Sequence, residues 1–423
     1  MGKTRLLEIC FDGPVDAFYA GTQVSGKVML DLSENQKVQA IKLRVFGQAA
    51  VLIRKSDKPT RNPSEEETYM DETEILFGGS ICPLRNAEIV ILEVQPYPNE
   101  SSLTSGSLIL SKGIHEFRFL FRLRDNLPSS FESPYGFVRF WCRASLHRPW
   151  KPQQSVKRPF TVVGLLQLSD RMGAFLPGQR CIQRTFSFWE RLICCAAGGV
   201  TMNLNIDRCA FVPGEHILLN GEVSNYSDKR ITCVQAFLQQ NLSFRSKKVV
   251  KQCMGLTKIG CVEKGPVEFG ETQIWRSEPF PVPALPPTDL AGCNLIHISY
   301  LLKFVAVVAN GGPNVHVSIP IVIGTVPLEP VYTAPPRRSS IAASAPMEPT
   351  PLEPSAPPAL ESFIGPPPSY SECVGMYTAD IRDPEDENED TEGTFRPLYP
   401  TYATLVAPPP PPPQQGPPLK ESH

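Results

Sequence analysis

Short runs in which apolar and polar residues alternate dominate the first 326 residues of the chain. In the run His115–Leu123, three phenylalanines share one face with Leu123, and charged residues occupy the other. A repeat of two is typical of a β-strand with one buried face. Pro320 interrupts one run, which predicts an edge strand or a bulge there. Turn-forming residues separate the runs and no long amphipathic helix is predicted, so the pattern favours an all-β, immunoglobulin-like sandwich. The same alternation occurs in Ile41–Val45, Val138–Ala144, Ile296–Phe304 and Val315–Ile323.

The pattern also repeats along the chain. The stretch Phe18–Val28 is similar to Phe211–Val223, about 193 residues later, and each places a glycine turn before a strand. A repeat of this length indicates two homologous sandwiches in tandem. The polar segment Lys55–Thr73 is expected to be a surface loop inside the first sandwich. The predicted boundaries are a first domain at 5–165, a hinge at 166–190, a second domain at 191–326 and a tail at 327–423.

Proline and charge set the tail apart from the body. Of the 45 prolines, 24 lie at or after Pro327, a density that packed strands and helices do not tolerate. From that residue onward there are 5 basic and 14 acidic residues, so the tail carries −9 and the rest of the chain +7. We therefore expect a disordered, proline-rich acidic tail behind a mildly basic body.

Several function classes are disfavoured by what the sequence lacks. The longest apolar candidate, Leu301–Ala309, is too short to span a bilayer, and the N-terminus has no signal-peptide pattern. Twelve scattered cysteines form no CxxC pair, so reduced thiols are expected, rather than disulfides or a zinc site. These features predict a cytoplasmic protein without metal or cofactor, and nothing in the charge pattern favours nucleic acid.

No catalytic constellation stands out either. None of the six histidines has an acidic or cysteine partner at triad or ligand spacing, and no phosphate-binding loop or nucleophile elbow occurs. We interpret Phe131-Glu132 as a structural corner, and Gly21, Gly136 and Gly214 as turn residues with positive φ. The sequence therefore favours a non-enzymatic protein that presents binding surfaces.

A family resemblance rests on three groups of residues. They are the LP-x-SFE-containing stretch Leu127–Phe140, then Pro213-Gly214-Glu215 with Val223–Ser227, and Ala291–Tyr300. Together they resemble the signatures of the two arrestin domains over about residues 5–326, most closely those of the α-arrestins. The resemblance implies two arrestin β-sandwiches with a cargo-binding surface on their concave faces. The candidate basic contacts on outward faces are Lys42, Arg44, Arg54, Lys55, Arg118, Arg122, Arg139 and Arg143.

Two branches of that family are matched less well. Signalling arrestins join their domains through a buried charged cluster, but the corresponding Ile319–Ile323 is apolar here. The thioredoxin-binding branch carries a cysteine shortly before a tryptophan, where this chain has Thr272 before Trp275. The resemblance therefore implies neither phosphate-triggered receptor binding nor thioredoxin capture.

One tail motif matches a known peptide ligand. Pro367-Pro368-Ser369-Tyr370 is a PPxY sequence, the ligand of WW domains, which occur notably in HECT-type ubiquitin ligases. Adjacent prolines favour the polyproline II conformation, so little entropy is lost on docking into an aromatic groove. Pro367, Pro368 and Tyr370 are the predicted contacts.

A second tyrosine motif is weaker. Arg396-Pro397-Leu398-Tyr399 stands where the α-arrestins usually carry another PPxY, but Arg396 replaces the first proline. Pro397 and Tyr399 are thus candidate contacts for weak WW binding. The alternative is a motif that no longer binds.

A third motif is Pro354-Ser355-Ala356-Pro357, which resembles the late-domain motif read by ESCRT-I. A tail rich in Pro, Ala and Ser also produces this pattern by chance, so both interpretations stay open. If it functions, all four residues, Pro354, Ser355, Ala356 and Pro357, are contacts.

These observations predict a non-enzymatic adaptor linking HECT-type ligases to membrane-protein cargo for ubiquitination, endocytosis and endosomal sorting. Such an adaptor would be cytoplasmic and peripheral at the plasma membrane and endosomes, with a receptor or transporter as partner. Two alternatives remain: a vesicle-budding scaffold that recruits ESCRT-I, and a signalling arrestin that desensitises receptors without ubiquitin.

Overall fold

The computed structural model describes residues 4–52, 64–78, 108–171, 173, 175–184, 199–246, 249–328, 379–380 and 394–402. Side chains are described for these residues except 246, 249–256, 379–380 and 394. Within these ranges the elements are β-strands and three 3-10 turns, without an α-helix. The predicted all-β fold is confirmed.

Eleven strands form the first domain. They are β1 Thr4–Phe11, β2 Ala17–Tyr19, β3 Gln23–Leu32, β4 Gln36–Val38, β5 Ala40–Val51, β6 Glu65–Gly78, β7 Leu108–Leu110, β8 Gly113–Arg122, β9 Phe131–Ser133, β10 Gly136–His147 and β11 Gln154–Val163.

Nine strands form the second domain and two short ones lie in the tail. They are β12 Gly178–Arg184, β13 Val200–Ile206, β14 Ala210–Phe211, β15 His216–Asn225, β16 Ile231–Ser246, β17 Val249–Lys264, β18 Thr272–Pro281, β19 Ile296–Val308, β20 Val315–Ile323, β21 Ala379–Asp380 and β22 Thr394–Phe395. The 3-10 turns are Leu168–Asp170, Thr288–Leu290 and Ala309–Gly311.

The first sandwich packs a sheet of order β1-β3-β8 against one of order β2-β11-β10-β5-β6, with β9 beside β10. The alternation predicts which side chains lie between them, because Val138, Phe140 and the next two alternate residues of β10 are all fully buried. Phe11 of β1 meets Phe160 of β11 with ring centroids 5.5 Å apart. This core fixes the opposite face of β5, β10 and β11 as an outer surface.

The second sandwich repeats the plan with sheets of order β12-β13-β15-β18 and β14-β20-β19-β16-β17. Trp275 of β18 packs edge-on against Phe304 of β19, with centroids 5.2 Å apart. The proline on β20 lies beyond the two-residue strand β14, which pairs only with Val322 and Ile323. Although β20 lies between β14 and β19, Pro320 precedes the two residues that pair with β14, so the predicted edge position holds for this part of the strand and there is no bulge against β19.

The two domains contact each other where the chain passes from the first to the second. We call this interdomain region, in which Thr325 meets Gly164 and Leu166, the joint. Thr325 accepts a hydrogen bond at its Oγ1 from the amide of Leu166 at 2.7 Å and donates to the carbonyl of Gly164 at 2.9 Å. A second contact lies further along the joint, where the side-chain amide of Asn294 donates to Glu67 at 2.7 Å. These hydrogen bonds tie residues that lie more than 150 positions apart in the chain.

Three expectations differ from the structure. Residues 65–73 of the expected surface loop belong to β6, a charged edge strand whose hydrophobic alternation is weak because much of it is solvated. Residues 178–184 of the expected hinge form β12 and pair with β13 of the second domain. Gly136 does not have a positive φ, unlike Gly21 at 82° and Gly214 at 95°.

The requirement for glycine at position 136 comes from packing instead. A Cβ there would lie 2.7 Å from the carbonyl oxygen of Ala50 and 3.0 Å from the ring of Phe244, which belongs to the other domain. Tyr135 also contacts that ring, with centroids 6.1 Å apart. Gly136 is therefore a point of close approach between the domains.

Candidate binding surfaces of the body and the tail

The outer face of β5, β10 and β11 carries a cluster of cations around one aromatic ring. The charged ends of Lys157, Arg143 and Arg44 lie 4.9, 5.1 and 5.7 Å from the ring centroid of Trp141. Cations at this distance are attracted to the face of an indole. We call these four residues, with Lys42 and Arg139 on the same face, the basic face. The strand registers place Arg44 opposite Arg143, and Lys42 opposite Ser145.

Part of that positive charge is neutralised locally. Arg44 makes two hydrogen bonds to Asp71 on β6, at 2.7 and 2.9 Å. These hydrogen bonds with the Arg44 guanidinium hold the pKa of Asp71 below its usual range. The basic face therefore borders a carboxylate that pairs with one of its cations.

Arg139 is held at one end of the basic face by a buried partner. Its guanidinium forms a two-fold hydrogen bond with Glu132, at 2.6 and 3.0 Å. The Glu132 side chain is only 1% exposed, and burial raises its pKa to about 7 against the opposing effect of Arg139. Phe131 beside it is buried in the core, so the pair has the structural role at the corner that the sequence predicted.

Of the remaining predicted basic residues, the two that the structure describes do not join this surface. Arg118 and Arg122 lie on β8 in the other sheet, where Arg122 is 3.5 Å from Asp125. Arg54 and Lys55 lie outside the described residues. The eight candidate positions therefore do not form one site, and four of them define the basic face.

Residues 394–402 of the predicted disordered tail lie against the body instead. Phe395 is buried and lines a small cleft with Trp141, Lys157 and Arg139 at the end of the basic face. Pro397 is buried, and the amide of Leu398 donates to Thr161 Oγ1 at 3.1 Å. We call residues 394–402 the docked segment.

The two tyrosines of the docked segment reach the joint itself. Tyr399 is 5% exposed, and its hydroxyl donates to the carbonyl oxygen of Ser130 at 2.7 Å. The hydroxyl of Tyr402 donates to the carbonyl of Thr325, and its amide donates to the carbonyl of Pro213 at 2.8 Å. The docked segment therefore contacts the first domain at Ser130, the joint at Thr325 and the second domain at Pro213.

The phenol of Tyr402 enters a partly apolar environment. It packs against a small cluster that includes Leu168 and Val212, and burial raises its pKa, with the neighbouring Tyr19 hydroxyl adding to the effect. A phenol with a raised pKa stays neutral at physiological pH. Tyr402 thus acts here as a neutral aromatic anchor.

The structure describes one of the three tail motifs and leaves the other two undescribed. Pro367, Pro368 and Tyr370 lie outside the described residues, as do Pro354, Ser355, Ala356 and Pro357. Pro397 and Tyr399 of the weaker WW motif are described, and both are buried against the body. Sequence reasoning missed this docking. The available signal was the aromatic density of Phe395, Tyr399 and Tyr402 in eight residues of a tail otherwise poor in aromatics.

Three structural facts bear on the function classes that the sequence disfavours. His297, which has no acidic partner at a recognisable spacing, lies 3.0 Å from Asp289 through tertiary contact, and Asp289 also pairs with Arg171 at 3.0 Å. In the part of the chain that is described, no helix is long and apolar enough to cross a membrane. The seven cysteines placed there are free thiols.

Comparison with known proteins assigns each of the two sandwiches to a protein family. Residues 7–169 match the family described as Arrestin (or S-antigen), N-terminal domain, and residues 196–328 match its C-terminal domain. The fold and these matches define an arrestin. The chain belongs to the α-arrestins, the arrestin-domain-containing proteins, and is by family an arrestin-like adaptor.

Three relatives illustrate the similarity. Arrestin domain-containing protein 17 of Caenorhabditis elegans is 30% identical over 76% of this chain and 70% of its own length. Arrestin domain-containing protein 4 of Homo sapiens is 26% identical over 88% of this chain and 82% of its own. The human thioredoxin-interacting protein is 26% identical over 76% of this chain and 75% of its own.

Proposed function

We propose that this α-arrestin is a non-enzymatic adaptor that brings a HECT-type ubiquitin ligase with WW domains to a membrane-protein cargo. The observation that carries the proposal is the PPxY sequence Pro367-Pro368-Ser369-Tyr370 in the same chain as an arrestin body. The adaptor performs no bond chemistry and acts by raising the local concentration of ligase near cargo lysines.

The body supplies the cargo side of this mechanism. The basic face around Trp141 is the candidate surface for an acidic cytoplasmic segment of a receptor or transporter, which would have to displace the docked segment, because Phe395 covers one end of this face. The adaptor then works in the cytoplasm, peripherally at the plasma membrane and endosomes. Ubiquitination of the cargo leads to its endocytosis and sorting.

The proposal is tested by ubiquitin-remnant proteomics on membrane fractions from cells that express the full chain. The variants are wild type, Tyr370→Ala and, as a matched control, Tyr377→Ala, which removes a tail tyrosine that has no proline in the three positions before it. We expect a set of membrane proteins whose ubiquitination is lost only with Tyr370→Ala. Identical profiles for wild type and Tyr370→Ala would contradict the adaptor function.

A second output is favoured by Pro354-Ser355-Ala356-Pro357, which suits ESCRT-I and hence vesicle budding. Pro354→Ala should then abolish release of the protein in vesicles and leave Tyr370-dependent ubiquitination intact. Release that is unchanged in Pro354→Ala would remove this second function.

A further inference from the structure

The docked segment lies on a surface built from both domains, and this surface has the properties of a peptide-binding site. We propose that the joint is a binding site for residues 394–402 of the same chain, and that binding there withholds Tyr399 from WW domains. The masking of Tyr399 rests on the proposed function, whereas the binding site does not.

The site is assembled by side chains that also hold the body together. Ser130 Oγ accepts from the amide of Val162 at 2.9 Å, and Ser129 Oγ accepts from the amide of Gly164 at 2.8 Å. Both serines are buried, so the loop before β9 is fixed against β11. The Ser130 carbonyl that receives Tyr399 is thereby oriented by hydrogen bonds independent of the docked segment.

The second-domain side of the site depends on a glycine. Gly214 has a φ of 95°, and a Cβ added there would overlap the backbone carbonyl of Tyr402. The bare backbone allows Tyr402 to approach closely enough for its amide to reach the carbonyl of Pro213. The positive φ and the close approach both favour glycine at this position.

Charge favours the chain's own segment as the occupant. Phe395 lies beside Lys157 and Arg139 at the end of the basic face. The ten residues 383–392, which precede the docked segment almost directly, contain seven carboxylates. A segment that combines this acidic run with three aromatic anchors complements both the basic face and the joint.

Covalent linkage also favours this occupant. The docked segment is tethered to Leu328 by 65 intervening residues. Because the association is intramolecular, it does not depend on protein concentration, and modest contacts are sufficient to maintain it.

Docking and WW binding require the same residues. A WW groove takes the proline of the motif and inserts the tyrosine into a neighbouring pocket. In the structure Pro397 is buried and the hydroxyl of Tyr399 is engaged by Ser130. The two complexes are therefore mutually exclusive, and Tyr399 is a conditional WW ligand, available only after the segment leaves the joint.

Hydrogen–deuterium exchange of the full chain, followed by mass spectrometry, tests the binding site. Tyr402→Ala and Phe395→Ala remove anchors outside the Arg396–Tyr399 motif, and Tyr377→Ala is the matched control in the tail. We expect the amides of residues 398 and 402, which donate hydrogen bonds to the body, to exchange at least tenfold more slowly in wild type and Tyr377→Ala than in Tyr402→Ala. Equal, fast exchange in wild type and Tyr402→Ala would overturn the proposal.

A second measurement tests the masking. WW domains are titrated with the full chain carrying Tyr370→Ala, with and without Tyr402→Ala. We expect Tyr402→Ala to raise the affinity at least several-fold, and further addition of Tyr399→Ala to abolish the gain. Unchanged affinity would overturn the masking. Failure of the proposed adaptor function would give a different result. In that case wild type and Tyr370→Ala would bind WW domains equally.

Discussion

The hydroxyl of Tyr399 donates a 2.7 Å hydrogen bond to the backbone carbonyl of Ser130, although the two residues are 269 positions apart in the chain. Ser130 belongs to the loop before β9 in the first domain, and Tyr399 belongs to a tail motif that resembles a ligase-binding sequence. The contact therefore joins the folded body to the motif that is the candidate for weak WW binding.

Tyr399→Phe isolates that hydrogen bond, because the ring stays and only the hydroxyl is removed. A typical hydrogen bond contributes about 1 kcal/mol, so docking should weaken about fivefold. The exchange rate of the Leu398 amide should rise accordingly, while Tyr377→Phe should leave it unchanged. Identical exchange in Tyr399→Phe and wild type would mean that the hydrogen bond contributes nothing to docking.

The acidic run before the docked segment should contribute through the basic face. We expect replacement of its carboxylates by amides to weaken docking several-fold at low salt. Docking of the wild type should also weaken as the salt concentration rises, because screening shortens the reach of the attraction from about 10 Å at 0.1 M to about 3 Å at 1 M. The residues to replace are Asp383, Glu385, Asp386, Glu387, Glu389, Asp390 and Glu392.

The amide variant should lose this salt dependence, which exchange measurements at 50 mM and 500 mM salt will reveal. Amide variants with the same salt dependence as the wild type would show that the carboxylates do not act on the basic face.

The buried carboxylate of Glu132 should make stability pH-dependent. Burial raises its pKa in the folded protein to about 7, above the ordinary value of 4.5. Its contribution to the free energy of unfolding is then fully present below pH 4.5 and is lost as the pH rises through 7. The loss should be on the order of 3 kcal/mol.

Urea unfolding of wild type and Glu132→Gln at pH 5 and pH 8 measures this effect. The wild type should lose more stability than the variant between the two pH values. If both lose the same amount, the ion pair with Arg139 keeps Glu132 ionised throughout and the raised pKa is wrong.

Gly136→Ala tests the contact between the domains. The new methyl group would meet the carbonyl oxygen of Ala50 and the ring of Phe244, and such overpacking typically costs about 1–3 kcal/mol. Thermal unfolding should show a lowered midpoint. Gly265→Ala is the control, because no atom lies within 4 Å of its added Cβ. Equal midpoints for Gly136→Ala and Gly265→Ala would contradict the tight packing.

Alternation predicts the core strands well because each of them turns one face toward the core of its sandwich and the other face away from it. Val138 and Phe140 are buried at the positions that the period-two pattern assigns. The charged strand β6 escaped prediction because an edge strand with much of its surface solvated needs no strict alternation. Position 136 was predicted to require glycine, but the reason given was wrong. The requirement comes from the nearby ring of Phe244, and that contact is seen only in the three-dimensional structure.

Docking of Phe395, Tyr399 and Tyr402 could not be predicted from composition. Their surroundings are proline-rich and acidic, which favours disorder, and the energy of docking comes from a joint made by distant residues such as Ser130 and Thr325. The local pattern does not show which distant residues form such a site. Aromatic clustering in a tail is the signal that merits inspection in related chains.

We propose that Tyr370 is the main ligase contact of this adaptor. The most direct test titrates an array of WW domains with the full chain, as wild type and as Tyr370→Ala. The account predicts micromolar binding for wild type and at least a tenfold loss in Tyr370→Ala, because Tyr399 remains docked. Equal binding of the two proteins, or no binding of wild type to any WW domain, would contradict it.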